Sequence, residues 1–153
     1  NPKLFFVSQL ERIENVPLQV VYASSQEPRE GDAAHLTDGE TSTIWHTMYS
    51  VTLAKYPHWV DFDAASVKNM KGFIYTPRMD SYNGCVKDYE IYVSQDGKEW
   101  GEPVMKGSFE AAGEAHKVMF DKPVKARYIR FRALSEQRGN DYASGAEFGL
   151  IAE

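Results

Sequence analysis

The stretch that decides the fold class is Asp88-Tyr89-Glu90-Ile91-Tyr92-Val93-Ser94-Gln95-Asp96-Gly97-Lys98. Tyr89, Ile91 and Val93 alternate with more polar residues, which places the three on one face of a β-strand. Residues 95–98 follow as a turn, because an Asp-Gly pair tolerates the positive φ that tight hairpin turns require. The stretch therefore predicts a half-buried strand that ends in a tight turn.

The same pattern of alternation and turn recurs along the chain. It predicts further strands at residues 18–23, 59–63, 73–75, 116–120, 127–132 and 147–151. Helical signals are thin, with single turns expected at residues 8–14 and 31–36. Many short strands separated by Gly, Pro, Asn and Asp turns are typical of a β-sandwich or barrel.

Composition sets limits on size and partners. The chain has 153 residues, 42% of them hydrophobic, and predicts one globular domain. Its net charge of −5 argues against a nucleic-acid partner, whose binders carry a basic footprint, and makes an anionic membrane surface an unlikely partner. The single cysteine, Cys85, excludes an intrachain disulfide and a cysteine zinc site, and we expect it to be buried on a strand.

A second stretch carries the polar chemistry: Asp38-Gly39-Glu40-Thr41-Ser42-Thr43-Ile44-Trp45-His46-Thr47. Its carboxylate and hydroxyl oxygens suit a hard cation such as calcium. Gly39 allows a tight curl of the backbone, and the apolar Trp45 precedes the polar-tipped His46. The alternative is an Asx turn in which Asp38 caps its own backbone.

This stretch and the motifs after it identify a family. The motif Asp-Gly-x-x-x-Thr-x-Trp-His-Thr is followed in order by matching segments at residues 57–63, 75–78, 83–84, 88–100, 127–131 and 146–148. Their joint order and spacing resembles the discoidin-like (factor V/VIII C-type) domains, and within them the family 32 carbohydrate-binding modules. The resemblance implies an all-β fold, an antiparallel β-sandwich with jelly-roll-like topology at residues 18–153. Residues 1–17 are expected to be a linker or an N-terminal edge segment.

The resemblance also implies a structural calcium ion that joins the two ends of the domain. Carried over by position, its ligands are the carbonyls of His35, Glu40 and Ala146, the carboxylates of Asp38 and Glu147, and Thr43 through its carbonyl and hydroxyl.

The same resemblance implies a carbohydrate site. Flat aromatic rings cover the C–H faces of a sugar, while the rigid fork of an arginine and the amide of an asparagine bond its hydroxyls. The expected set is His46, Arg78, Asn83 and a stacking Tyr142, with Tyr49 and Glu40 as further contacts. Each residue has an ordinary structural alternative: a core histidine, a salt bridge from Arg78 to Asp80 or Glu40, an Asn-Gly turn, an exposed loop tyrosine. Trp45, Trp59 and Trp100 are expected in the core.

These features together predict a non-catalytic carbohydrate-binding module, because no acid–base pair or catalytic motif is recognisable. The resemblance favours a terminal galactose or N-acetylgalactosamine, with the module targeting an attached protein to glycan. The chain starts without Met and looks like part of a longer, multidomain protein. The resemblance implies that this protein is secreted or displayed at the surface, outer membrane or periplasm of a bacterium. The alternative is a cell-surface protein-interaction or adhesion discoidin domain. Convergence of His46, Arg78 and Asn83 in one pocket would favour sugar.

Overall fold

A computed structural model describes residues 16–110 and 113–153, which form an antiparallel β-sandwich. Its strands are β1 (Gln19–Ala23), β2 (Trp45–His46), β3 (His58–Thr76), β4 (Asp88–Ser94), β5 (Met105–Ser108), β6 (His116–Ala133), β7 (Ser144–Gly145) and β8 (Glu147–Ala152). A short 3-10 helix covers Ala33–Thr37, close to the turn expected at residues 31–36. The all-β class and the sandwich are confirmed. The turn expected at residues 8–14, and most of the segment 1–17, lie outside the described residues.

The strands pair in the order β1-β3-β6-β4-β5, with β8 adding to β3 and with β2 and β7 forming a separate small ladder. All of these ladders are antiparallel. The first half of β3 pairs with β1, and its second half pairs with β8. β3 therefore takes part in both layers of the sandwich, and β6 follows it along most of its length.

The prediction of separate strands at residues 59–63 and 73–75 was wrong, as was the division at 116–120 and 127–132. Each pair is one long strand, β3 or β6. The ladder between them is irregular between Asp63 and Lys68 and again between Met70 and Gly72, so the strands bend without ending. Pro123 lies within one of these irregular stretches, where a residue without an N–H costs no ladder hydrogen bond.

The core is rich in aromatic side chains. Phe62 and Phe148 stack with their ring centroids 4.5 Å apart, and Phe73 stacks on Phe148 at 5.6 Å. Burial of each such side chain contributes about 1.5–3 kcal/mol relative to exposure. The predicted faces are correct in the strands around them, since Val60 and Phe62 in β3 and Ile91 in β4 are fully buried.

Two details of the predicted core need correction. Trp45 is fully buried, but Trp59 and Trp100 are half-buried and lie against Arg130 on the outer face of the sheet. The reason is register, because Trp59 alternates with the inward-facing Val60. Cys85 is buried as expected, yet it forms an isolated bridge to Ser144 rather than part of a strand.

Within the described ranges, no helix has the length and apolar character needed to span a bilayer.

Candidate functional site

Loops that follow β1, β2, β3 and β6 meet around one open cavity of about 570 Å³. Its lining is mostly polar and aromatic: Glu30, His35, Ser42, Thr43, Ile44, His46, Tyr49, Arg78, Asp80, Asn83 and Tyr142. These residues are distant in sequence, and the sandwich brings them together by placing the loops side by side.

Five of the six residues predicted to bind a ligand line this cavity: His46, Tyr49, Arg78, Asn83 and Tyr142. His46, Arg78 and Asn83 therefore converge in one pocket. Glu40 does not line the cavity, and its side chain points from an exposed loop position. His35 and Thr43, which are also predicted calcium ligands, contribute to the wall as well.

His46 is held with a defined tautomer. Its Nδ1 lies 2.6 Å from the carbonyl of Thr47, and because a carbonyl only accepts, Nδ1–H is the donor. In the neutral ring, Nε2 is then an acceptor, and no hydrogen-bond partner for it occurs among the described residues. Burial lowers the pKa of His46, the nearby Arg78 lowers it further, and the Thr47 contact opposes both. The cavity therefore presents a neutral acceptor at physiological pH.

Arg78 and Asp80 form a bidentate ion pair within a single loop. Nε of Arg78 donates to Oδ1 of Asp80 at 2.8 Å and Nη2 donates to Oδ2 at 3.0 Å. This salt bridge is the ordinary alternative named for Arg78, and it leaves part of the guanidinium donor set unused. The Arg78 side chain is 15% exposed and that of Asp80 is 71% exposed. The pair thus presents both spare donors and spare acceptors to the cavity.

Asn83 sits in a rigid turn with its side-chain amide unengaged. Its backbone N–H donates to Ser81 Oγ at 3.0 Å, and its carbonyl accepts from Ser144 Oγ at 2.6 Å. Gly84 follows with φ of +82°, and an added Cβ there would lie 2.5 Å from Ser144 Oγ, so a glycine is required. Within the described residues the Asn83 amide itself has no partner, and the turn and a ligand contact are compatible.

The Tyr142 ring packs on His46, with centroids 5.3 Å apart, and Tyr49 meets the same imidazole edge-on at 5.0 Å. The half-buried Tyr56 and the buried His58 hold the backbone of the Tyr142 loop. Tyr56 Oη donates to the Tyr142 carbonyl at 2.9 Å, and His58 Nε2 donates to the Asp141 carbonyl at 2.6 Å. The stacking ring therefore sits on a fixed backbone.

Sequence reasoning missed two buried glutamates that organise these loops. Glu27, 3% exposed, accepts the backbone N–H groups of Tyr49 and Ser50 at 3.0 and 2.9 Å. Glu136, 2% exposed, accepts from Gly84 at 2.5 Å and from Asn140 at 2.9 Å. Each ties together segments that are distant along the chain, so no local signal marks it. Glu30, which receives the Tyr49 hydroxyl hydrogen bond, was missed for the same reason.

The loop predicted to bind calcium borders this cavity, since Ser42 and Thr43 line its wall. Asp38 Oδ1 accepts the Glu40 N–H at 2.9 Å, which is the Asx-type turn named as the alternative, and Asp38 Oδ2 accepts the Thr43 hydroxyl. Gly39 has φ of +77°, as its position in a tight curl requires. Glu147 approaches from β8, and its Oε1 is buried without a hydrogen-bond partner of good geometry. Burial and the neighbouring Asp38 raise the pKa of Glu147 to about 8.

Fold and cavity together define a β-sandwich that presents a polar and aromatic loop site. The sequence profile of the F5/8 type C domain matches residues 20–148, and the chain belongs to that family. A sialidase from Micromonospora viridifaciens is 36% identical over 151 residues, which are 96% of this chain and 23% of that protein. The chain thus spans less than a quarter of the length of that relative.

Solved structures of other proteins have the same fold. CBM32-5 from Clostridium perfringens, solved with GalNAc-β-1,3-galactose, superimposes with a TM-score of 0.82 at 29% identity, covering 90% of this chain and 99% of that one. A family 32 module from the NanJ protein of the same organism, solved with galactose, gives 0.78 at 26% identity, covering 90% and 97%. The predicted family and fold are confirmed, and the structural neighbours are carbohydrate-binding modules.

Proposed function

We propose that this domain is a carbohydrate-binding module that recognises a terminal sugar of the galactose or N-acetylgalactosamine type. The convergence of His46, Arg78 and Asn83 beside the Tyr142 ring in one cavity carries the proposal. The ring covers a C–H face of the pyranose, while a neutral acceptor, a forked donor and an amide match vicinal hydroxyls. The ligands of the solved relatives support the same sugar type.

The module acts by targeting rather than by cleavage. A glycosidase needs one carboxyl group to protonate the leaving oxygen and a second to act as nucleophile or base. Two carboxylates line the cavity, Glu30 and Asp80. The Arg78 guanidinium lowers the pKa of Asp80, so that group stays ionised and does not supply a proton, and Glu30 accepts the Tyr49 hydroxyl. Catalysis then belongs to other domains of a longer, multidomain protein, secreted or displayed at the surface of a bacterium, and the module raises that protein's local concentration on glycan.

A calcium ion completes the proposal as a structural group. The described residues hold no cluster of three or more His, Cys, Asp or Glu side chains, so a cation here relies on carbonyl and hydroxyl oxygens beside two carboxylates. That donor set suits calcium. The unpartnered Glu147 Oε1 beside the Asp38 carboxylate supports it, because a cation satisfies both groups. Asp38, Thr43 and Glu147 would hold it through side chains, and His35, Glu40 and Ala146 through carbonyls.

A glycan array tests the sugar proposal. Labelled domain is applied to glycans that end in galactose, N-acetylgalactosamine, glucose or sialic acid, with and without a chelator. Selective capture by the first two supports the proposal. Capture that is independent of the terminal sugar, or binding only to unglycosylated protein, would favour the adhesion alternative. Incubation with aryl-galactosides and aryl-hexosaminides tests the absence of cleavage, which sustained turnover would contradict.

A further inference from the structure

A second hollow of about 210 Å³ lies beside the first cavity and belongs to no site described so far. Arg78 and Asp80 line both hollows, so their ion pair forms the ridge between them. The rest of its wall comes from Met79, Ser81, Tyr82 and Gly113. The two hollows therefore adjoin, with one pair of polar side chains as their common wall.

Tyr82 gives this hollow a flat aromatic surface. Its side chain is 50% exposed, and the Arg138 guanidinium lies over the ring, 4.5 Å from the centroid. Arg138 is itself exposed and forms no ion pair with a carboxylate among the described residues. A cation over the ring fixes its orientation through the attraction between charge and π-system. The ring is thus braced on one face although half of the side chain remains open to solvent.

The position of Tyr82 relative to the first cavity is fixed by the chain. It directly precedes Asn83, whose backbone is anchored at Ser81 Oγ and Ser144 Oγ. Met79, 51% exposed, adds a polarizable apolar contact on the same loop. The Asp80 carboxylate, accepting from Arg78 but with its side chain 71% exposed, keeps free lone pairs. An aromatic face, an apolar neighbour and an exposed acceptor repeat the ingredients of a sugar site.

We propose that this hollow is a second carbohydrate subsite, which takes the sugar unit linked to the terminal one. The inference rests on the proposed function, because the terminal unit must occupy the first cavity. Tyr82 stacks on the second ring, and Asp80 accepts one of its hydroxyls from the ridge. The module then distinguishes a disaccharide from a monosaccharide, and stacking on one aromatic ring makes the disaccharide about three- to tenfold tighter.

Calorimetric titration of the intact domain tests this with two pairs of probes. These are N-acetylgalactosamine against GalNAc-β-1,3-galactose, and galactose against lactose. Wild type is expected to bind at least one disaccharide about three- to tenfold more tightly than its monosaccharide. Tyr82→Ala removes that gain and leaves monosaccharide affinity unchanged. Tyr22→Ala is the matched control, since Tyr22 is 52% exposed on β1 and lines neither hollow.

The outcomes separate this proposal from the one on which it rests. If wild type binds the monosaccharides but neither disaccharide more tightly, or if Tyr82→Ala keeps the gain, the second subsite is overturned while the first stands. If wild type binds none of the four sugars, the proposed function fails for this sugar type and the subsite fails with it. Arg138→Ala is a further test. Because the guanidinium orients the Tyr82 ring, its loss should reduce the extra affinity for the disaccharide and leave monosaccharide affinity unchanged.

Discussion

The cavity and the outer face of the sheet contain the same ingredients, an arginine–aspartate pair beside aromatic rings, but arrange them differently. In the cavity, Arg78 and Asp80 belong to one loop, and the Asp80 side chain is 71% exposed. On the sheet, Arg130 of β6 bonds Asp61 of β3 at 2.6 and 2.9 Å, and the Asp61 side chain is only 6% exposed. The arginine side chain is mostly buried in both pairs, 15% exposed for Arg78 and 23% for Arg130, so the pairs differ in the aspartate, which is open to solvent in the cavity and enclosed on the sheet.

The aromatic rings of the two regions also differ in their surroundings. Trp100 and Trp59 lie against the Arg130 guanidinium, with centroids 4.3 and 5.6 Å from its Cζ. Both tryptophans are half-buried, and neither lines the cavity or the hollow beside it. Tyr142 packs on His46 at the edge of a hollow that a ligand can enter. The comparison teaches that residue type does not mark a binding site, whereas concavity and unused donors and acceptors do.

The largest expected effect is on stability, at the pair formed by Arg130 and the enclosed Asp61. Arg130→Ala leaves the nearly buried Asp61 carboxylate without its partner, so the free energy of unfolding should fall by about 3–5 kcal/mol. Urea unfolding measures it, and the double variant Asp61→Ala/Arg130→Ala should recover much of the loss. Sugar affinity of the folded fraction should not change. A loss below about 1 kcal/mol would remove the distinction between the two regions.

The pair with the exposed aspartate should show the reverse pattern. Arg78→Ala removes the forked donor of the cavity, so affinity for galactose should fall by about 100-fold or more, equivalent to about 3 kcal/mol. Stability should change by less than about 1 kcal/mol, because Asp80 remains in water. Arg78→Lys is the control that keeps the positive charge but lacks the planar guanidinium donors, and this variant should bind galactose weakly. Unchanged titration curves for both variants would show that the ligand binds elsewhere.

At the predicted calcium site, the Asp38 and Glu147 carboxylates have no arginine partner among the described residues, and calcium is expected to take that role. At a calcium concentration 100 times its Kd, the folded state should gain about 2.7 kcal/mol. Asp38→Ala and Glu147→Ala should each abolish the gain, measured as the shift in Tm between calcium and EDTA. If EDTA leaves the Tm unchanged and elemental analysis finds no calcium, the cation site does not exist.

Loss of the stacking ring should reduce sugar affinity less than loss of the polar contacts. Tyr142→Ala is expected to weaken binding by about three- to tenfold, through the loss of one aromatic contact. Trp100→Ala is the matched aromatic control and should leave affinity unchanged, since its ring faces Arg130 rather than the cavity. Titration with galactose measures both. Equal losses in the two variants would show that the effect arises from general loosening of the sandwich.

The smallest expected effect is that of pH. His46 offers an acceptor only when neutral, and its pKa lies below the ordinary value because of burial and Arg78, with Glu27 and Glu30 acting in the opposite direction. Affinity should be constant from pH 7.5 to 6.5 and fall at lower pH. A histidine with the ordinary pKa of about 6.5 would lose about tenfold at pH 5.5, so His46 should lose less. His46→Gln should flatten the profile, and a loss beginning above pH 7 would contradict the assignment.

Strand alternation was the most predictable part of the fold. Tyr89, Ile91 and Val93 in β4, and Ile129 and Phe131 in β6, face inward as their period-two pattern indicates. The continuity of β3 and β6 was not predictable, because Gly72 and Pro123 lie at an irregular stretch and such residues usually mark the end of a strand, so the local pattern does not distinguish a bulge from a break. β5 was missed as well, since its four residues from Met105 carry no clear alternation.

The sequence by itself determined the fold class, the family and the types of residue available to a ligand, because these depend on local period and on motif order along the chain. Only the tertiary structure decided which of those residues act together. Arg78 lines one cavity with His46 and Tyr142, while Trp59 and Trp100, which the sequence places in the core, lie against Arg130 on the outer face. The role of Glu136 in holding two loops depends on the fold, which brings the backbone N–H groups of Gly84 and Asn140 to its carboxylate. The reason is physical: burial and unsatisfied hydrogen-bonding capacity belong to the packed arrangement, and no single segment contains them.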